Sequence, residues 1–257
     1  MSAGKMENVA VIPARFASTR LPGKPLLSDT GKTLIQHVVE AARRAKSLQR
    51  VIVATDDERI AEAVRAFGGE VAMTRADHAT GTDRVAEVAA SIPEAGIIVN
   101  VQGDEPEIDG SSIDRLITLL RDDPEAPMAT LATPIRDEAI YRDPSCVKVV
   151  ASACGRALYF SRSPIPYHRD GTPDYSDPKS PAAYLHLGLY AYRRDFLLKV
   201  GDLPRSPLEA AEKLEQLRVL EAGLPIALGF VDEPSIGVDT PEDYRRFVER
   251  WKRSNPG

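Results

Sequence analysis

The chain has 257 residues, of which 43% are hydrophobic and 28% charged, with a formal net charge of −5. That length and balance suit one large or two small globular domains with a real apolar core. An acidic total argues against a general nucleic-acid binder, and no apolar run approaches the roughly 20 residues of a membrane span. The two cysteines, Cys146 and Cys154, are too few for a disulfide framework and fit a reduced, cytoplasmic setting. The opening MSAGKMENVAV carries no signal-peptide apolar region, and Met6 offers a second start.

Val9 to Ile12 is a short apolar run that stops at Pro13 and reads as the first strand. The loop after it carries Arg15, Arg20 and Lys24 among Pro22, Gly23 and Pro25. Thr33 to Gln36 matches a capping box, and Leu34, Val38, Ala41, Ala42 and Ala45 then give a helical apolar face. Arg50 to Ala54 is a buried-type strand. Ile60, Ala61, Val64 and Phe67 mark a helix that Gly68-Gly69 stops. A short strand at Glu70 to Met73 leads through the polar TRADHATGT to a helix with Val85, Val88, Ala89 and Ile92. Ile97 to Val101 is a further strand, ending in Gln102-Gly103-Asp104-Glu105-Pro106. A helix around 112–120 and a strand near 128–133 follow. Repeated β-α units of this kind predict a mainly parallel sheet with helices on both faces.

The pattern changes after Arg136. Val147 to Ala153 and Ala157 to Phe160 read as a hairpin around Cys154-Gly155. Ser161 to Pro181 is polar and proline-rich, a loop or extended arm. Tyr184 to Tyr192 alternates with period two, which places His186 and Tyr190 on one face and the leucines on the other. Ser206 to Glu209 is a second capping box, with Pro207 at the first helical position. The helix it opens is expected to run unbroken to about Ala222, with Glu212, Glu215 and Gln216 on one face. A strand at 226–231 and a helix after Asp239-Thr240-Pro241 complete the chain. The whole reads as a single α/β domain over 1–257, with an inserted β-rich arm or subdomain at about 137–195.

Three positive charges on one helix-poor loop, at the carboxyl edge of a sheet, can neutralise a triphosphate. The segment is neither a Walker loop nor a GxGxxG turn. Asp104 follows a continuous apolar strand, where a carboxylate can hold Mg²⁺ against substrate phosphates; it is equally an ordinary turn aspartate. Asp239 has the same two readings, and a division of labour is expected in which Thr240 caps the last helix and Asp239 reaches a metal. His186 and Tyr190 share a short polar face. Glu212, Glu215 and Gln216 read by default as solvated helix surface. Two distant carboxylates and a basic loop make the parts list for metal-assisted nucleotidyl transfer. No Ser-His-Asp, HExxH or cysteine-based arrangement is present, so no covalent intermediate is expected.

IPARFASTRLPGKPL, VATDDERI, MTRADHATGTDR, VNVQGDEP, YFSRSPIPY, HLGLYAYR, SPLEAAEKLEQLRVLEAG and GVDTPEDY stand here in the order and spacing of one enzyme family. From Val9 to about Phe247 the chain resembles the 3-deoxy-manno-octulosonate cytidylyltransferases; the first motif alone resembles CMP-sialic acid synthetases as well. The resemblance implies a nucleotide-diphospho-sugar transferase (Rossmann-like) fold, a three-layer α/β/α sandwich with a mixed, mainly parallel sheet and a β-rich dimerisation arm. It implies CTP and an acidic sugar as substrates, Mg²⁺ as cofactor and a homodimer, with no nucleic acid or membrane partner. Carried over by position, Arg15, Arg20 and Lys24 contact the CTP phosphates, and Asp104 and Asp239 hold Mg²⁺. Lys24, Arg15, Asp104 and Asp239 then form the catalytic set. Arg75 marks the loop that reads cytosine, and Gln102, Arg162, His186, Tyr190, Glu215 and Gln216 line the sugar site. The alternatives are another acidic sugar, sialic acid or 8-amino-KDO, and a non-catalytic nucleotide sensor on the same fold.

Overall fold

The computed structural model describes residues 6–17, 21–171, 174, 175, 177, 181–204 and 206–255. The chain forms two compact units, residues 1–114 with 235–257, and residues 115–234.

In the first unit, β1 (Glu7–Ala14) is flanked by β2 (Arg50–Thr55) and β4 (Ala95–Asn100), and β2 by β3 (Glu70–Met73). All three pairings are parallel, with Val9 opposite Arg50 and Ile98. Strands covered on both faces need continuous apolar sequence, and Val9, Ala10, Val11 and Ile12 are fully buried. Between the strands run α1 (Leu34–Ala42), α2 (Glu58–Ala66) and α3 (Gly81–Ala90). Each has a side-chain N-cap: Thr33 accepts from the Gln36 amide, Asp57 from Arg59, and Thr80 from Asp83 in a full capping box. α4 (Gly110–Asp122) then carries the chain into the second unit.

In the second unit, β5 (Met128–Pro134) lies between antiparallel β8 (Tyr184–Arg193) and parallel β9 (Ile226–Phe230). The predicted hairpin is present as β6 (Lys148–Ala151) and β7 (Ala157–Ser161), and β6 also pairs with β8. Two short helices escaped the sequence reading: α5 (Glu138–Arg142), capped by Asp137, and α6 (Arg194–Leu197). At four and five residues they are too short to show a period.

Two expectations are corrected. β8 does not alternate without interruption: Thr130 pairs with Tyr190 but Ala132 with His186, so β8 bulges, and Gly188 sits there at φ 56. The bulge adds an even number of residues, which is why His186 and Tyr190 still share a face, with ring centroids 5.4 Å apart. The helix from Ser206 is not continuous either. It is α7 (Pro207–Glu212) and α8 (Gln216–Glu221), broken where Lys213 turns left-handed at φ 55. A non-glycine residue there costs about 1–2 kcal/mol. The turn lets Leu214, Gln216 and Leu217 go inside while Glu215 stays exposed, so these positions do not share one helical face.

The last helix, α9 (Pro241–Ser254), belongs to the first unit. Its Tyr244, Phe247 and Val248 pack with Leu21, Leu34 and Val238, and the Tyr244 hydroxyl accepts from the Asp29 amide at 2.8 Å. These contacts hold the basic loop at Leu21 and the chain just beyond it at Asp29.

Candidate active site

Residues 80 and 215 positions apart meet in the first unit. The Lys24 ammonium donates to Asp104 Oδ2 at 2.8 Å and to Asp239 Oδ1 at 3.2 Å. Lys24 opens a short 3-10 turn (Lys24–Leu26) after left-handed Gly23. Asp104 lies in the turn after β4, where the strand chain comes against β1: a Cβ on Gly103 would meet the Pro13 carbonyl at 2.7 Å, so only glycine fits. The Val238 amide donates to the Asp104 carbonyl at 2.8 Å, which sets Asp239 beside Asp104. The capping half of the expected division of labour is present. Thr240 accepts from the Asp243 amide in a capping box, leaving the Asp239 carboxylate to Lys24.

Lys24 is mostly buried, and the two carboxylates are 30% and 43% exposed. Two carboxylates already converging on one cation, with water access, suit a hard divalent ion that keeps part of its hydration. No cluster of three or more His, Cys, Asp or Glu able to hold a metal occurs among the described residues. Two protein oxygens plus substrate phosphates and water is the ligand set expected of Mg²⁺, so these residues fit it. Next to them Glu105 accepts from the Ser235 hydroxyl at 2.6 Å. Burial above all, with the Asp104 charge adding, pushes its carboxyl up to about 7 against that hydrogen bond.

Arg15 Nη2 donates to the carbonyls of His78 (2.7 Å) and Thr80 (3.3 Å), tying the basic loop to TRADHATGT. That second loop is closed by Glu87, which accepts from the Arg75 amide at 3.2 Å and bonds His78. The Arg75 side chain itself is exposed, 3.6 Å from Asp77. Arg20 lies outside the described residues. Gln102 is half-buried in the turn before Asp104.

Sequence reasoning missed Arg84 and Asp56. Arg84 is fully buried on α3, with Nη1 2.9 Å from Asp56 Oδ1 and 2.5 Å from Thr74 Oγ1, while Nε and Nη2 have no hydrogen-bond partner among the described residues. Its helical phase with Val85 and Val88 was the available signal.

The second unit holds the other candidate residues. Arg162 is half-buried and clamped: its amide donates to Glu212 Oε2 (2.9 Å), Nε to the Glu212 carbonyl (2.7 Å) and Nη1 to the Pro144 carbonyl (3.0 Å). Glu212 also accepts from the Ser161 hydroxyl at 2.5 Å. Beneath lies Lys148, fully buried, its ammonium held by the carbonyls of Asp143 (2.8 Å), Cys146 (2.5 Å) and Arg162 (2.7 Å). Burial lowers the Lys148 pKa, opposed by nearby Cys146, Asp143 and Glu212. Lys148 was not singled out from sequence, and Glu212 was read as solvated helix surface, because a lysine in an alternating strand and a glutamate on a helix are ordinarily exposed.

His186 is buried, its ring edge-on to Phe160 at 4.9 Å and 2.9 Å from the Thr130 hydroxyl. Burial pushes its pKa down to about 3, so the ring is neutral. Burial likewise raises the Tyr190 hydroxyl well above its usual range. Gln216 is buried, and its side-chain amide nitrogen has no partner among the described residues. A buried donor left open is costly unless something else accepts from it.

Residues 9–226 match the family model described as Cytidylyltransferase, so the chain is a nucleotidyltransferase of the cytidylyltransferase class. The 3-deoxy-manno-octulosonate cytidylyltransferase of Syntrophotalea carbinolica is 56% identical over 243 residues, 94% of this chain and 97% of that protein. That of Geobacter sulfurreducens is 52% identical over 96% of this chain and all of its own length. The solved structure of a CMP:2-keto-3-deoxy-manno-octonic acid synthetase complexed with CTP superposes with a TM-score of 0.89 at 46% identity, covering 97% of this chain and 100% of that one. This chain belongs to the 3-deoxy-manno-octulosonate cytidylyltransferase family.

Proposed function

We propose that this chain transfers CMP from CTP to 3-deoxy-D-manno-octulosonate (KDO), giving CMP-KDO and pyrophosphate, and so activates KDO for lipopolysaccharide biosynthesis. The observation that carries the reading is the convergence of Asp104 and Asp239 on the Lys24 ammonium. Family membership and CTP in a 46% identical solved structure support it.

The anomeric hydroxyl of the sugar attacks the α-phosphorus of CTP. One O–P bond forms, the bond to the bridging oxygen of pyrophosphate breaks, and the hydroxyl proton passes to water. Asp104 and Asp239 would hold Mg²⁺, which when bound neutralises phosphate charge and lowers the pKa of the attacking hydroxyl. Lys24, Arg15 and Arg20 contact the phosphates, and Lys24 stabilises charge building on them. The loop around Arg75 reads cytosine, largely by backbone groups. Arg162 takes the sugar carboxylate, with its Nη1 and Nε already fixed in direction by carbonyls. Gln102, His186, Tyr190, Glu215 and Gln216 serve the rest of the sugar, a reading supported at Gln216 by its open buried amide. A cytoplasmic homodimer, built on the arm at about 137–195 of a single domain, belongs to the same proposal.

The test is a turnover assay with CTP, Mg²⁺ and KDO, with sialic acid as the comparison. Pyrophosphate release is expected with KDO and not with sialic acid. Release with sialic acid alone would move the assignment to another acidic sugar. No release with any acidic sugar would leave a nucleotide sensor.

A further inference from the structure

We infer that Thr130 fixes His186 in the tautomer protonated on Nε2, so that the ring meets the acidic sugar as a hydrogen-bond acceptor through Nδ1. The inference rests on the proposed assignment of His186 to the sugar, and it names what that residue recognises.

Thr130 is fully buried on β5. Its hydroxyl has two neighbours, the Leu189 carbonyl at 2.8 Å and His186 Nε2 at 2.9 Å. A carbonyl oxygen only accepts, and a hydroxyl has one proton. That proton goes to Leu189, which stands at the β8 bulge out of register with β5. Toward His186 the threonine oxygen presents a lone pair, so Nε2 must carry the hydrogen. The ring is neutral, and Nδ1 is therefore a bare lone pair. Nδ1 has no hydrogen-bond partner among the described residues.

The ring has little freedom to escape this arrangement. The His186 amide donates to the Val147 carbonyl at 2.8 Å, and the rings of Phe160 and Tyr190 stand 4.9 and 5.4 Å from the imidazole. An acceptor at Nδ1 takes a hydroxyl of the substrate and repels a carboxylate, whose oxygens are acceptors too. The carboxylate is left to the Arg162 guanidinium. Acceptor and cation thus discriminate the two ends of a hydroxylated acid, and a single buried threonine sets the sign of one of them. Thr130 is a positioning residue here, since it acts through His186.

Two measurements test this. In the ¹⁵N-labelled wild-type protein, a long-range ¹H–¹⁵N spectrum of the His186 ring should show a protonated Nε2 and a bare Nδ1, unchanged between pH 6 and 8. A protonated Nδ1, or a doubly protonated ring, overturns the inference with no variant needed. In steady-state assays, Thr130→Val should raise the KM for KDO about tenfold, the effect of one misdirected hydrogen bond, with kcat and the KM for CTP within about twofold. Thr130→Ser, which keeps the hydroxyl, should restore the KM. Equal damage from valine and serine overturns the hydroxyl's role. Failure of the underlying assignment looks different: His186→Ala with an unchanged KM for KDO removes the acceptor role, while the spectrum still decides the tautomer.

Discussion

The candidate metal site of the first unit and the polar cluster of the second handle their groups in opposite ways. In the first, Asp104 and Asp239 stay part-exposed and share one ammonium. In the second, Lys148 is buried among three carbonyls and Thr130 between a carbonyl and an imidazole, with half-buried Arg162 clamped beside them by Glu212 and Pro144. The difference follows from the ligands proposed for each. A divalent ion and a triphosphate bring their own charge and water, so a protein site for them can stay wet and loosely satisfied. An uncharged hydroxyl is told from its surroundings only by donors and acceptors of fixed direction, and direction is secured by burial with every partner in place.

The largest effect should come from breaking the first arrangement. Asp104→Ala or Asp239→Ala should lower kcat by about 100-fold or more, as should chelation of Mg²⁺. The melting temperature should stay within a few degrees, because neither carboxylate is buried. Near-normal turnover of either variant at limiting Mg²⁺ would end the metal assignment.

In the second unit the same kind of change should strike the fold instead. Lys148→Met leaves three buried carbonyls without a donor and should cost about 2–4 kcal/mol of stability in urea unfolding. A loss below about 0.5 kcal/mol would mean the cage contributes nothing. Arg162→Ala removes a charge-assisted bond and should raise the KM for KDO roughly 10- to 100-fold, leaving the KM for CTP in place. An unchanged KM for KDO would reject its role.

The smallest effect is a gain. Lys213→Gly relieves a left-handed lysine at the α7–α8 break and should stabilise by about 0.5–1 kcal/mol. Destabilisation would show that the lysine side chain has a role of its own.

What was legible in the sequence was what is periodic or locally capped. The buried runs at Val9–Ile12 and Ile97–Val101 announced parallel strands, and Thr240-Pro241 announced a helix start that leaves Asp239 outside the cap. The pairing of Asp104 with Asp239 across Lys24 depends on a backbone bond from Val238 to Asp104, which no local pattern encodes. The break at Lys213 was illegible for a different reason. AEKLEQ is good helix sequence, and tertiary packing of Leu214 and Leu217 overrides it. Lys148 and Thr130 were passed over, and Glu212 was read as solvated surface, because their residue types are ordinarily exposed and only their partners reveal otherwise.

The Val238–Asp104 bond also bears on how the enzyme comes into being. The first unit is discontinuous in sequence, closed by residues 235–257 after the whole of the second has been made. On the ribosome, at roughly 5–20 residues per second, the basic loop and Asp104 wait for many seconds before Asp239 and α9 emerge. Until then the nascent chain has one carboxylate, and Leu21 and Leu34 lack their cover from Tyr244, Phe247 and Val248. On the proposed metal assignment, a chain that stops before Asp239 lacks one of the two carboxylates that meet at Lys24.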